Sequence, residues 1–139
     1  MLTRVARVAR NESGAAMVEF AIVLPLLTLL VFGMIDFGRA FKYYNNLASA
    51  VRDGARFGAA QATPNPSQIN SRVDAVFRDA AGDAQPSTNA TVSISTAAIP
   101  HEITVTVTDY PYDALSPFVP TGGLKFTVSA TFRIEDESP

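Results

Sequence analysis

The hydrophobic pattern divides the chain into stretches of different periodicity. Residues 15–35 are almost continuously apolar, with Glu19 as their one charged residue. From residue 37 to residue 58, apolar or small residues recur at alternating steps of four and three, which predicts one stripe of an amphipathic helix. After Gly82 the period changes to two, which is typical of strands with one buried face.

Two helices are predicted from these patterns. The first runs through the apolar stretch to about residue 62, where the sequence Thr63-Pro64-Asn65-Pro66 stops it. Its predicted buried stripe consists of Phe37, Phe41, Tyr44, Ala48, Val51, Ala55 and Gly58. The second helix covers residues 67–81, with Asn65 or Ser67 as its N-cap and Gly82 at its end.

Three strands follow in the sequence. Their inward-facing residues are predicted to be Val92 and Ile94, then Ile103, Val105 and Val107, then Leu124, Phe126, Val128, Ala130, Phe132 and Ile134. The fold class is therefore α+β: a long N-terminal helix with a membrane half and an amphipathic half, one short helix, and a three-stranded antiparallel sheet packed on the long helix. The aromatic loop of residues 110–123 either contacts a partner or caps the open end of the sheet.

Residues 63–139 are too few to bury a large core by themselves. The amphipathic half of the first helix is expected to supply the missing wall. In that half, Gly54 and Gly58 form a Gly-x-x-x-Gly pattern, which fits packing against the protein's own sheet better than packing against another helix. The predicted organisation is a basic leader at residues 1–14, a membrane segment at 15–35, its amphipathic continuation at 36–62, and an exported domain at 63–139.

Composition removes several classes of function. The chain has 139 residues and a formal net charge of -2, so no overall basic field favours nucleic acid as a partner. It has no Cys and one His, which excludes disulfides, thiolate metal sites and paired imidazole ligands. His101 is interpreted as a surface residue, and no nucleophile motif marks Asp109 or Asp113 as members of a catalytic triad. We expect no enzymatic activity, no metal and no cofactor.

The apolar stretch fits a membrane. At about 1.5 Å per residue, residues 15–35 extend roughly 31 Å, close to the ~30 Å thickness of a hydrocarbon core. Arg4, Arg7 and Arg10 precede this stretch, which predicts a cytoplasmic N-terminus and an exported C-terminal part. The stretch is longer than the apolar region of an ordinary secretory signal, and no Ala-x-Ala triplet closely follows it.

The segment from Gly14 to Phe20 resembles the processing site of type IV prepilins: a glycine, four residues, then glutamate and an aromatic residue. The wider stretch of about residues 14–58, including Pro25 and the sequence Ile35-Asp36-Phe37-Gly38-Arg39, resembles the TadE-like minor pilins, or pseudopilins, of tight adherence (Flp, type IVc) pilus systems. The resemblance implies that prepilin peptidase cuts after Gly14 and leaves Ala15 as the new N-terminus.

The same resemblance implies a minor pilin precursor that contributes to a pilus for surface adherence. The implied location is the bacterial inner membrane, with incorporation in a pilus. Its partners would be prepilin peptidase, the helices of other pilins, and inner-membrane lipid. The alternative is an uncleaved, single-pass membrane-anchored binding module with an exported α+β domain.

Two residues of the membrane segment have more than one interpretation. Glu19 either pairs with the α-amino group of Ala15 from a neighbouring subunit, which would set the register of assembly, or is a carboxylate that reaches water at the membrane surface. Pro25 removes a backbone donor, and either kinks the helix or is a tolerated membrane proline.

Overall fold

The computed structural model describes residues 12–82, 86–95, 101–114 and 124–134. The described elements are α1 (Glu12–Ala59), α2 (Pro66–Ala81), β1 (Thr91–Ser95), β2 (Glu102–Tyr112) and β3 (Leu124–Arg133). The predicted α+β class, with its long helix, short helix and antiparallel sheet, is confirmed. The chain divides into two compact units, Met1–Ile35 and Asp36–Pro139. The arginines of the predicted leader and residues 115–123 of the predicted loop lie outside the described residues.

The helix boundaries follow from local sequence. α1 ends at Ala59, slightly before the predicted residue 62. Pro64 lies between the two helices, and Pro66 is the first residue of α2. Of the two candidate N-caps, the structure selects Asn65, whose side-chain oxygen accepts hydrogen bonds from the Ser67 and Gln68 amides at 3.0 and 3.4 Å. Gly82 ends α2 with φ 104°, a backbone conformation that glycine adopts without strain.

The sheet has the strand order β1-β2-β3, and both pairings are antiparallel. One face packs on the helices through Ile103, Val105 and Val107, which are fully buried. The opposite face carries hydroxyl side chains in register, and one row across it is Ser93, Thr104 and Thr131. The hydroxyl oxygens of Thr104 and Thr131 are 2.8 Å apart and hydrogen bond to each other.

β2 extends further than the sequence pattern suggests. Tyr110 and Tyr112 belong to this strand and are buried, so the prediction that they begin the loop is wrong. A β-bulge between Val107 and Tyr110 places two residues of β2 opposite Thr127 of β3, and Asp109 within it has φ 54°. The extra residue shifts the inward-facing positions from odd to even numbers, and an uninterrupted period of two therefore misses the tyrosines.

The core lies between α1, α2 and the inner face of the sheet. Its largest fully buried side chains are Phe77, Leu47, Ile69, Ile103, Val51, Val73, Val105 and Val107. Gly54 faces Val73 of α2, and a methyl group on Gly58 would lie 2.5 Å from the Ile103 Cδ1 atom. Gly58 thus packs against Ile103 of the sheet, as the sequence predicts, whereas Gly54 packs against the helix α2, which the prediction did not include.

Between residues 36 and 47, the buried face of α1 is rotated around the helix by about one residue from the predicted stripe. Phe37 and Phe41 are exposed rather than packed on the sheet, so that part of the prediction is wrong. Tyr43 and Leu47 face the core instead, and the Tyr43 ring packs edge-on against Tyr112 with centroids 5.6 Å apart. Small residues on this face, Ala50 and Gly54, let α2 approach closely, and hydrophobicity alone does not reveal that advantage.

α2 also holds the segment that leads into β1. The Asp74 carboxylate accepts hydrogen bonds from the amide and the hydroxyl of Thr88, at 2.7 and 2.5 Å. The Asn70 side-chain oxygen accepts a hydrogen bond from the Ala90 amide at 3.0 Å. Thr88 is 3% exposed, and these contacts therefore satisfy polar groups that water does not reach.

Candidate functional site

The predicted cleavage position lies in the first turn of α1. The helix begins at Glu12, so Gly14 and Ala15 are both helical, and a Cβ atom on Gly14 would meet no heavy atom within 4 Å. Packing within the described chain therefore does not require glycine there. Glycine is about 1 kcal/mol less favourable than alanine in a helix, so this turn opens more readily into the extended form that a protease cleft accepts.

Glu19 lies about 6 Å along the helix from Ala15, at 1.5 Å per residue. Its side chain is exposed, and within the described residues it forms no ion pair. Phe20, the aromatic residue of the motif, is also exposed. The structure thus presents the motif on the helix surface, where another molecule can contact it.

The rest of the apolar stretch is exposed as well. Its large exposed side chains between residues 17 and 35 are Met17, Val18, Phe20, Ile22, Val23, Leu24, Leu26, Leu27, Leu29, Leu30, Val31, Phe32, Met34 and Ile35. α1 is, within the described residues, the one helix long and apolar enough to cross a membrane. A surface this apolar is consistent with membrane anchoring.

Pro25 lies inside α1, and the helix continues on both sides of it. Proline has no amide hydrogen, so one hydrogen bond of the helical ladder is missing at this position. Close by, the Thr28 hydroxyl donates to the Leu24 carbonyl oxygen at 2.8 Å. This bond satisfies the Thr28 hydroxyl within the helix, as an apolar environment requires.

A polar cluster lies where the apolar stretch ends. Asp36 is 5% exposed, and the Tyr112 hydroxyl donates to its carbonyl oxygen at 3.2 Å. Burial raises the pKa of Tyr112; the positive charge of Arg39 opposes this shift and the negative charge of Asp36 adds to it. The Arg39 Nη1 atom is buried and has no hydrogen-bond partner among the described residues. The sequence pattern does not reveal this cluster, because an uninterrupted period of two ends the strand before Tyr112.

Within the part of the chain that the structure describes, His101 and Asp109 lie far apart. His101 directly precedes β2, and its carbonyl oxygen accepts a hydrogen bond from the Ile134 amide at 2.8 Å. Asp109 lies eight residues further along this strand, roughly 25 Å away at about 3.3 Å per residue. In the described segments, no group of three or more His, Asp or Glu side chains could hold a metal ion.

One comparison with known proteins gives a match, and it lies in the N-terminal part of the chain. Residues 14–56 match the family described as TadE-like protein. No curated protein and no solved structure gives a significant match to the chain. The matched segment begins at Gly14 and covers α1 almost to its end, which confirms the resemblance carried by the sequence motifs. Over residues 14–56 this chain is similar to the TadE-like family, and the match extends no further along the chain.

Proposed function

We propose that this chain is the precursor of a minor pilin of a Tad/Flp-type pilus, and that prepilin peptidase removes residues 1–14 by cutting after Gly14. The observation that carries the proposal is the coincidence of the family match, which starts at Gly14, with an apolar helix surface exposed from residue 15 onwards. Such a surface requires lipid or the helices of other subunits around it.

The proposed location is the inner membrane of a bacterium, with residues 1–14 in the cytoplasm and residues 36–139 exported. The arginines of the leader support this orientation because positively charged flanks stay on the cytoplasmic side. After cleavage, residues 15–35 would move from lipid into contact with the helices of other pilins. The exported domain would then be displayed on the assembled fibre.

Glu19 is the residue proposed to set the register of this assembly. Its carboxylate is exposed one helical turn from the position where cleavage would create the α-amino group of Ala15. In an apolar surrounding, opposite charges attract strongly, and a buried carboxylate without a partner is costly. A neighbouring subunit's α-amino group supplies that partner, and Phe20 and Pro25 would shape the adjacent contact surface.

The experiment that tests cleavage is co-expression with a prepilin peptidase, followed by measurement of the mass of the mature N-terminus. We expect a product that begins at Ala15. Gly14→Val should block its formation without unfolding the helix, because a side chain at this position meets nothing. Gly33→Val is the matched control, since its surroundings are equally open and it lies away from the cut.

A product that keeps residues 1–14 in cells with the matching peptidase would contradict the proposal. Equal processing of the Gly14→Val variant would do so as well. Either result would favour an uncleaved membrane-anchored binding module.

Glu19→Ala should leave cleavage largely intact and reduce co-assembly with other pilins by about tenfold or more, since a lost charge pair in an apolar surrounding is worth over 1.4 kcal/mol. The measurement is the amount of this subunit recovered with purified pili or with cross-linked pilin partners. Glu19→Asp, which keeps the charge, is the control and should retain part of the assembly. Normal co-assembly of Glu19→Ala would remove the proposed role of this residue.

A further inference from the structure

β1 is an edge strand, and the backbone groups on its outer side can be identified from the sheet register. The Ile134 amide donates to the His101 carbonyl oxygen at 2.8 Å, so odd-numbered residues of β2 before the bulge bond towards β3 and even-numbered residues bond towards β1. These even-numbered residues pair with the odd-numbered residues of β1. The amide and carbonyl groups of Val92 and Ile94 therefore point away from the sheet.

The open part of this edge is short. The Ala90 amide points outwards by the same alternation, but it donates to the Asn70 side-chain oxygen at 3.0 Å. α2 thus closes the edge at the start of β1. Among the residues that the structure describes, none forms a hydrogen bond with the outer groups of Val92 and Ile94. The open edge is therefore centred on Ser93.

This open edge is complementary to a second copy of itself. In an antiparallel pair centred on Ser93, Val92 of each copy lies opposite Ile94 of the other copy. Both of these residue pairs are hydrogen-bonded pairs, so every open group of the two strands finds a partner. The side chains at these positions share the apolar face of the sheet, and Ile94, which is 37% exposed, is covered by Val92 of the second copy.

Charge also distinguishes β1 from the other edge strand. β1 has no charged residue, so the pairing of two copies brings no like charges together. β3 carries Lys125 and Arg133, and both are exposed. Like charges opposite each other across strands are destabilising, and charged side chains are a common protection of sheet edges. β1 is therefore the edge that favours the addition of a strand.

We propose that two copies of this chain pair through β1 in an antiparallel arrangement and form one continuous six-stranded sheet, with three strands from each copy. The two-fold axis passes between the two Ser93 residues. Such a pair is closed, because both copies use the same edge. This inference goes beyond the proposed function, since it depends neither on cleavage nor on membership of a pilus.

Disulfide formation between single cysteines tests the pairing, because the natural chain has no cysteine. The two Ser93 residues form a non-hydrogen-bonded pair with Cα atoms about 4.5 Å apart, which is within disulfide range. Full-length Ser93→Cys is purified in detergent and oxidised with copper phenanthroline, and the covalent dimer is measured by non-reducing electrophoresis. Ser129→Cys is the matched control, because Ser129 is an exposed serine of β3 on the same face of the sheet. We expect Ser93→Cys to cross-link roughly tenfold faster than this control.

Positions 91 and 95 test the register. Residue 91 of one copy lies opposite residue 95 of the other, whereas the two copies of residue 91 are about 13 Å apart. Thr91→Cys alone and Ser95→Cys alone should therefore cross-link as slowly as the Ser129→Cys control, and a mixture of the two should form a mixed dimer rapidly. All the replaced side chains are exposed, so these substitutions should leave the fold intact.

Equal rates for Ser93→Cys and Ser129→Cys would overturn the proposed pairing. Faster cross-linking of Ser129→Cys would overturn it in favour of β3 as the contact edge. Rapid cross-linking of Thr91→Cys alone would overturn the register centred on Ser93. The assay uses the uncleaved chain in detergent, so its failure would leave the proposed cleavage and membrane location unaffected.

Discussion

At the scale of single residues, Gly58 is a position at which one methyl group has a predictable effect on stability. A Cβ atom there would lie 2.5 Å from the Ile103 Cδ1 atom and 2.7 Å from the Ile69 Cδ1 atom. Overpacking of this kind costs about 1–3 kcal/mol, and the better helix propensity of alanine offsets up to about 1 kcal/mol of it. Gly58→Ala should therefore lower the free energy of unfolding by up to about 2 kcal/mol, measured by denaturant titration with circular dichroism in detergent.

Gly38 provides the control in the same helix, because a Cβ atom on it meets nothing within 4 Å. Gly38→Ala should leave stability unchanged or raise it by about 0.5–1 kcal/mol through helix propensity alone. Equal stabilisation by the two substitutions would show that α1 does not pack against α2 and β2 as described.

Tyr110 makes the free energy of unfolding depend on pH in the alkaline range. Burial raises the pKa of Tyr110 to about 12, with smaller contributions from nearby tyrosine and acidic groups. In the unfolded chain a tyrosine ionises near pH 10. The folded state thus keeps its proton where the unfolded state loses it, and the stabilising contribution is complete below pH 10 and is lost as the pH rises towards 12.

The test compares unfolding free energies of the natural protein and Tyr110→Phe between pH 9 and pH 12. The variant lacks the hydrogen bond that the Tyr110 hydroxyl donates to the Pro86 carbonyl oxygen at 3.2 Å, and should be less stable at pH 9. Its stability should then fall less steeply with pH. Parallel curves for the two proteins would contradict the assignment of this pH dependence to Tyr110.

At the scale of secondary-structure elements, the hydrogen bonds from α2 determine how firmly β1 is held. Asp74→Ala leaves the amide and hydroxyl of the buried Thr88 without their acceptor, a loss of about 1–3 kcal/mol. β1 is a short edge strand whose preceding segment depends on this contact, so its amide hydrogens should exchange faster by tenfold or more.

Hydrogen–deuterium exchange measured by mass spectrometry on peptides containing residues 91–95 checks this prediction. Asp79→Ala is the matched control, because Asp79 is an exposed carboxylate on the same helix. Exchange of β1 at the natural rate in Asp74→Ala would show that the strand is held by its pairing with β2 alone.

The elements themselves were predictable, because each rests on a periodic pattern or a local breaker. The prolines after α1, the asparagine cap and Gly82 act within a few residues, so the sequence specifies them directly. The β-bulge was not predictable, because its extra residue does not change the hydrophobic pattern in a recognisable way. After the bulge, even-numbered instead of odd-numbered residues of β2 face the core. The rotation of the buried α1 face was not predictable either. Phe41 and Leu47 are both apolar, and only tertiary packing determines which of them is buried.

At the scale of the whole molecule, the two compact units support different kinds of conclusion. The unit that ends at Ile35 carries Gly14, Glu19 and Pro25, and these were found from the sequence because a linear motif places them. Their proposed partners are other molecules, so a single chain contains only one side of each contact. The unit that begins at Asp36 contains the buried core, and there the polar cluster around Tyr112 emerged only from tertiary structure.

The edge position of β3 affects how many copies of this chain can be concentrated without aggregating. β3 has β2 as its one strand neighbour among the described elements, and its outer backbone groups could template a foreign strand. Lys125 and Arg133 are exposed near its two ends. An antiparallel copy aligned on this strand would place cations close to cations, and that repulsion opposes open-ended aggregation of concentrated copies of the chain into fibrils.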